Sequence, residues 1–256
     1  MFVKGEHERQ FAYNVQTACD DHGIVLGYEV FPGNIHDSVS FEKFYKVLDK
    51  EKIKTMIMDS GYCAPYIFRC LILDHIKPLT PYVRPKTKAG FFKKYEYVYD
   101  EYYDQYICPA NKRLIYTTTN REGYREYKSL DYQCENCSAL NQCTESKNHT
   151  KIVTQHVWNR FLEMATDIRY GIGMKELYGR RKETIECVFA DAKEKHGMRY
   201  TQYRGRAKVK MEVSLIYSCM NLKKLARWLA KKPSPPSFSQ PFSSCKEKVL
   251  LSMKSR

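Results

Sequence analysis

Apolar residues fall along this chain in short runs of two different periods. Residues 11 to 31, FAYNVQTACDDHGIVLGYEVF, read as two β-rich runs around DDHG, whose Asp and Gly suit a tight turn, and they predict an antiparallel hairpin. PGNIHDS then breaks the chain. Asp37 stands where a helix N-cap belongs, and Phe41, Phe44, Tyr45 and Leu48 recur at helical spacing behind it. Thr55, Met56, Ile57 and Met58 form a continuous apolar run, the pattern of a strand covered on both faces, and it ends at Asp59 before the turn residues Ser60 and Gly61. PYIFRCLILDH predicts a second amphipathic helix and KPLTPYV a short strand, so helix and strand alternate as in an α/β core.

From about Arg84 to Thr154 the pattern changes to tyrosine-rich, glycine-poor strands with a cysteine cluster, which we read as an insertion. Residues 175 to 196 predict one long helix stopping at Gly197. Residues 207 to 231 predict another, with Val209, Val213, Ile216 and Met220 on one stripe. KKPSPPSFSQPFSS marks the end of the packed domain and a flexible tail. The expected parts are therefore 1–83, the N-terminal part of an α/β domain; 84–154, a β-rich insertion; 155–232, the C-terminal helices of that domain; and 233–256, a flexible Pro/Ser tail.

Composition adds a partner. The chain carries 43 Lys and Arg against 29 Asp and Glu, a formal charge of +14, and the stretch from Lys175 to Lys232 alone has 16 basic and 6 acidic residues, +10 of that excess. A concentration of positive charge on this scale points to a polyanion such as nucleic acid. No charged-then-apolar leader and no apolar run near the roughly 20 residues of a bilayer span is found, so the expected location is cytoplasmic, with no membrane partner. With that location, ten cysteines in 256 residues suggest free thiols and metal rather than a disulfide framework.

Two acids stand out. A carboxylate at the mouth of a buried strand, as at Asp59, loses hydration unless charge or hydrogen bonds replace it. Glu186 lies on the predicted 175–196 helix beside the stripe of Ile185, Phe189 and Ala192, with Lys193 seven residues on. The stretches RQFAYNVQTACDDHGIVLGYEVFPGNIHDS, MDSGY and RRKETIECVFADAKEKHGMRYTQYRG resemble the DDE transposases of bacterial insertion sequences, over about Lys4 to Trp228. That resemblance implies a ribonuclease H-like mixed sheet with flanking helices, and a site of two Asp and one Glu holding two Mg²⁺ or Mn²⁺ ions. Asp59 matches the second acid and Glu186 the third. Hard oxygen ligands suit Mg²⁺, and two such ions about 3.5 to 4 Å apart can activate a water or 3′-hydroxyl and stabilise the leaving oxygen at phosphorus.

Many relatives carry a Tyr, Arg, Glu and Lys signature spaced by three, four and seven. Glu186 and Lys193 keep the last interval, whereas Lys182 and Gly179 occupy the places of the Arg and Tyr, and Tyr178 and Arg181 sit one residue early. Lys182, Arg181 and Lys193 are the expected phosphate contacts. After Gly197, MRYTQYRGRAKVK adds Arg199, Tyr203, Arg204 and Arg206 as DNA-binding candidates, basic groups beside a stacking ring. In the ribonuclease H-like order the first catalytic Asp sits on a strand before the hairpin, where only MFVKGEHERQ stands. Asp20 and Asp21 fall in the hairpin turn and Asp37 at a helix start, while His36 and Asp37 match a block seen in relatives and support the site. The expectation is the C-terminal part of a transposase, missing its first strand, inactive alone in strand transfer, and with an exposed hairpin edge that lowers solubility.

In the insertion, Cys108 in CPANK and Cys134, Cys137 and Cys143 in CENCSALNQC can make a tetrahedral Cys₄ zinc site, with reduced loop thiols as the alternative. The expected partners are DNA, as transposon ends and target, and further copies of the chain. Two rival readings stand beside strand transfer: a non-catalytic DNA-binding module competing with a full-length transposase, and a divalent-metal nuclease of the same fold.

Overall fold

The computed structural model describes residues 2–3, 9–10, 12–84, 87–230 and 248–252, with side chains over 12–84 and 87–230. The chain divides into two compact units, one formed by 1–82 with 161–256 and one by 83–160.

In the first unit, β1 (Phe2–Val3) and β2 (Arg9–Gln10) form a short antiparallel ladder. The main sheet begins with the antiparallel hairpin of β3 (Tyr13–Cys19) and β4 (Val25–Pro32), turning at DDHG, where Gly23 has φ +73° and Asp20 accepts the backbone N–H groups of His22 and Ile24 at 3.0 and 2.7 Å. Helix α1 (Asp37–Tyr45) follows. Its N-cap is His36, whose Nδ1 accepts the Ser38 N–H at 3.3 Å, so Asp37 is the first helical residue rather than the cap, placed where negative charge favours the helix dipole. β5 (Thr55–Ile57), α2 (Pro65–Leu73) and β6 (Lys77–Leu79) form a parallel βαβ unit, and β5 ends one residue earlier than expected while Met58 still donates its N–H to Leu79.

Alternation along the strands divides the core in two. Ala18, Met56 and Met58 pack with Phe41, Phe44, Ile67 and Leu71 on one side, and Val15, Cys19, Ile57 and Leu79 pack on the other with the C-terminal helices. The sheet order is β4-β3-β12-β5-β6, where β12 (Lys248–Ser252) runs antiparallel to β3 and parallel to β5. This mixed five-stranded sheet with helices is compatible with a ribonuclease H-like domain. Two expectations change here. Residues 248–252 of the expected flexible tail are a central strand, and the exposed edge of β3 is therefore covered by main-chain pairing from Lys248–Ser252. The preceding residues 233–247 lie outside those described.

The second unit is an antiparallel meander of β7 (Val98–Asp100), β8 (Gln105–Ile107), β9 (Arg113–Thr119), β10 (Tyr124–Ser129) and β11 (Ile152–His156), with α3 (Asp131–Cys134) between the last two. Tyr97, Tyr106, Leu114, Tyr127 and Val153 make its core. Asp104, at φ +48°, accepts the hydroxyls of the half-buried Tyr99 and the buried Tyr127 at 2.8 and 2.7 Å, which gives those phenols their partners.

The chain continues through α4 (Asn159–Tyr170), α5 (Met174–Gly179), α6 (Ile185–Lys195) and α7 (Arg206–Ala230). The single helix expected over 175–196 is thus two, separated by a 3₁₀ turn at Arg180–Glu183 and by Thr184, at φ −113° and ψ −91°. The Thr184 hydroxyl donates to the Arg180 carbonyl at 2.8 Å, a local bond that competes with helical pairing. Gly197, at φ +70°, follows α6 as a stop. Helix α7 buries Val209, Val213, Tyr217 and Met220, with Ile216 only partly covered.

Candidate functional site

Asp59 opens the turn Ser60–Tyr62 directly after β5, and its carboxylate accepts the Ser60 N–H at 2.7 Å. Its side chain is 27% exposed and faces Arg181, which is only 8% exposed and places Nη1 3.8 Å from Asp59 Oδ1. The same Nη1 donates to the Tyr178 hydroxyl at 2.7 Å. Arg181 is in the 3₁₀ turn before Thr184 and is buried there.

Tyr62 lies wholly buried beneath the turn, its hydroxyl without a hydrogen-bond partner among the described residues. Burial pushes its phenol well above the usual range, the charges of Asp37 and Asp59 push it further, and Arg181 pulls against them. Burial likewise raises Tyr178, with Arg181 opposing and Asp59 adding. Asp37 reaches this cluster from α1. Its Oδ1 accepts from Asn14 Nδ2 at 2.5 Å, and its Oδ2 lies so close to the backbone turn that a Cβ at Gly61 would meet it at 3.1 Å. Gln16, next along the same face, donates to Ser40 and to the Asp37 carbonyl. Two carboxylates and one buried guanidinium thus gather around Tyr62, carried by α1, the turn after β5 and the turn before α6.

Glu186 is exposed in the first turn of α6. Lys182 is exposed, and Lys193 is half-buried with Nζ 5.9 Å from the Phe189 ring centre. Arg199 is exposed and paired with Glu194; Tyr203 and Arg204 are exposed. Arg206, at the start of α7, borders an open pocket of about 340 Å³ together with Lys43, Lys210 and Glu29. Among the described residues no three His, Cys, Asp or Glu side chains are arranged as a group that could hold a metal ion. β12, in the slot beside β5, has the sequence KVLLS and contributes no acid.

In the second unit, Cys108, Cys134, Cys137 and Cys143 line one cavity of about 20 Å³. All four are free thiols. The turn after β8 aims the Lys112 N–H at Cys108 Sγ, 3.2 Å away, and the Cys137 N–H bonds the Cys134 carbonyl at 3.1 Å, closing the CxxC turn. Cys143 Sγ is 3.3 Å from the Tyr97 hydroxyl. Burial raises the Cys143 thiol, Tyr97 and Lys151 oppose it, and the neighbouring Cys134 and Cys108 add to it.

Sequence reasoning missed the apposition of Asp59 and Arg181 and gave Asp37 only a supporting part. The Arg181 signal was present as an arginine one residue out of register in a helix; the periodicity concealed that the helix breaks there. Residues 107–226 match the family model of the transposase DDE domain. Over those 120 of its 256 residues the chain is similar to the DDE domain of transposases. The matched stretch runs from the end of β8 into α7, so it takes in the four cysteines, Arg181, Glu186 and the basic segment, and leaves out Asp59. No curated protein and no solved structure matches the chain. DDE transposases act on DNA and generally use divalent metal ions. No helix among the described residues is long and apolar enough to cross a membrane.

Proposed function

We propose that this protein is a bacterial insertion-sequence transposase that binds transposon-end and target DNA and, in its catalytic form, cleaves and transfers strands. The observation that carries this reading is the family match over 107–226, which coincides with the stretch holding most of the net positive charge and with Glu186. In this reading Lys182, Lys193, Arg199, Arg204 and Arg206 contact phosphate and Tyr203 stacks on a base. Asp59 and Glu186 are the acids assigned to Mg²⁺ or Mn²⁺. The described residues do not by themselves fit a metal pair: no group of three ligands is assembled, and Asp59 is already faced by a guanidinium.

That misfit favours a second reading, a DNA-binding protein without strand transfer. One set of assays separates the two. Binding to duplex DNA should weaken steeply with salt, and each of Lys182→Ala and Arg204→Ala should lower the slope of log K against log salt by about 1. Cleavage that requires Mg²⁺ and disappears in both Asp59→Ala and Glu186→Ala supports the catalytic reading and its site. Binding without any cleavage supports the second. Binding indifferent to salt refutes both.

We also propose that Zn²⁺, when bound, draws the four thiols of the second unit together as ligands, an arrangement they do not have among the described residues. What supports this is their shared cavity and the backbone N–H aimed at Cys108 Sγ. Coordination requires thiolates, so raised thiols such as Cys143 make affinity rise with pH. Protein purified without chelator should contain about one zinc per chain, and Cys137→Ser should lose it; less than a tenth of that content refutes the assignment.

A further inference from the structure

Helix α7 is apolar on two sides. The buried side is anchored to the sheet: the Tyr217 and Thr17 hydroxyls are 2.8 Å apart, and Asn221 exchanges two hydrogen bonds of 2.9 Å with the backbone of Val25. The other side carries Met211, Leu215, Leu222, Leu225 and Leu229, each between 38% and 64% exposed. Their spacing is that of a heptad seam, with Leu215, Leu222 and Leu229 seven apart and Met211, Ser218 and Leu225 seven apart in the alternate position. From Met211 to Leu229 the seam is roughly 27 Å long at the helical rise.

We propose that this seam joins a second copy of the chain, helix against helix, in a two-fold dimer. Charge placement selects that occupant. The helix has six basic residues, and only Lys208, at the N-terminal limit, falls on the seam. The positions flanking it are Ser214, Cys219, Asn221, Ala226 and Trp228, all uncharged, with Glu212 the exception. A chain of net charge +14 repels its own copies, yet this face brings almost no like charge together. Beyond Lys208 it also offers no cations to a phosphate backbone. A leucine heptad is complementary to itself, the condition a two-fold interface imposes. The inference does not depend on strand-transfer activity.

The test is sedimentation equilibrium of the full chain without DNA, at about 0.5 M salt to screen surface charge. A dimer is expected at micromolar concentration. Leu222→Glu buries an uncompensated charge and should weaken it by about 100-fold or more; Leu222→Ala, a milder change that spares the helix, should weaken it by at least about 10-fold. Leu73→Glu, at an exposed apolar position ending α2, should leave association unchanged. A chain that stays monomeric at all concentrations, or a dimer as strong in both Leu222 variants, overturns the proposal.

Discussion

Replacing Asp59 by Asn tests which charge dominates its surroundings. At 3.8 Å a unit pair is worth about 4 kcal/mol at an effective dielectric constant of about 20. The separation exceeds a direct hydrogen bond and the Asp59 side chain is 27% exposed, so the coupling that survives solvent is about 1 to 2 kcal/mol. Arg181, 8% exposed, loses more than it gains when the facing charge is removed. Asp37 raises the Tyr62 phenol together with Asp59, and as a like charge in the same cluster it acts in the opposite sense to Arg181. With Arg181 as its ion-pair partner, Asp59→Asn should lower Tm by about 2 to 8 °C, taking roughly 2 to 4 °C per kcal/mol for a chain of this size. A double-mutant cycle with Arg181→Met, read by urea unfolding, isolates the pair and should return about 1 to 2 kcal/mol. A coupling below about 0.3 kcal/mol, or a rise in Tm on Asp59→Asn without metal, refutes the arrangement; the rise is what a repulsive acid cluster awaiting cations would give.

Three further outcomes are expected. Phe41→Ala, at a fully buried ring stacked 5.1 Å from Tyr45 and edge-on to Tyr62 at 5.8 Å, should cost about 3 to 5 kcal/mol by denaturant midpoint. Leu250→Pro, in the middle of β12, removes a ladder donor from a central strand and should cost about 3 kcal/mol, read as a Tm drop; an unchanged Tm would show that the strand does not occupy the slot in solution. The Tyr45 hydroxyl first, and then Lys50, hold Asp74 below the usual carboxylate range, so its contribution is present above the ordinary carboxylate pKa and lost as pH falls through the depressed folded value. Asp74 is exposed, so the gap in Tm between the parent and Asp74→Asn should be small at neutral pH and close in strong acid.

Local pattern made much of the fold legible. The DDHG turn with its flanking alternation specified a hairpin, and the apolar run before Asp59 specified a strand covered on both faces, because burial and period are properties of neighbouring residues. The break inside 175–196 was not legible: Ile185, Phe189 and Ala192 keep helical spacing, while the features that accompany the interruption are one Thr184 hydroxyl bond and an Arg181–Asp59 pair that is distant in sequence. β12 was hidden for a similar reason. KVLLS is too short to identify itself, and the Pro- and Ser-rich residues before it read as a terminus. Strand pairing over about 190 residues of sequence carries no local signature.

Completing this sheet and completing its chemistry are separate requirements. The slot between β3 and β5 is central and has neighbours on both edges, so it demands an unbroken row of backbone donors and acceptors, and any short β-forming segment of the right length satisfies it. The chemistry expected of a ribonuclease H-like site demands a carboxylate on that same strand. Lys248–Ser252 meets the first demand and, by its composition, not the second. The further negative charge of this cluster comes from Asp37, which accepts a hydrogen bond from Asn14 and lies close to the backbone at Gly61, and Arg181 supplies the counter-charge. Such a cluster is partly neutralised from within, one guanidinium of the chain against two carboxylates. A divalent ion at Asp59 would have to compete with a guanidinium already 3.8 Å away, and that competition sets whether the site can act as well as bind.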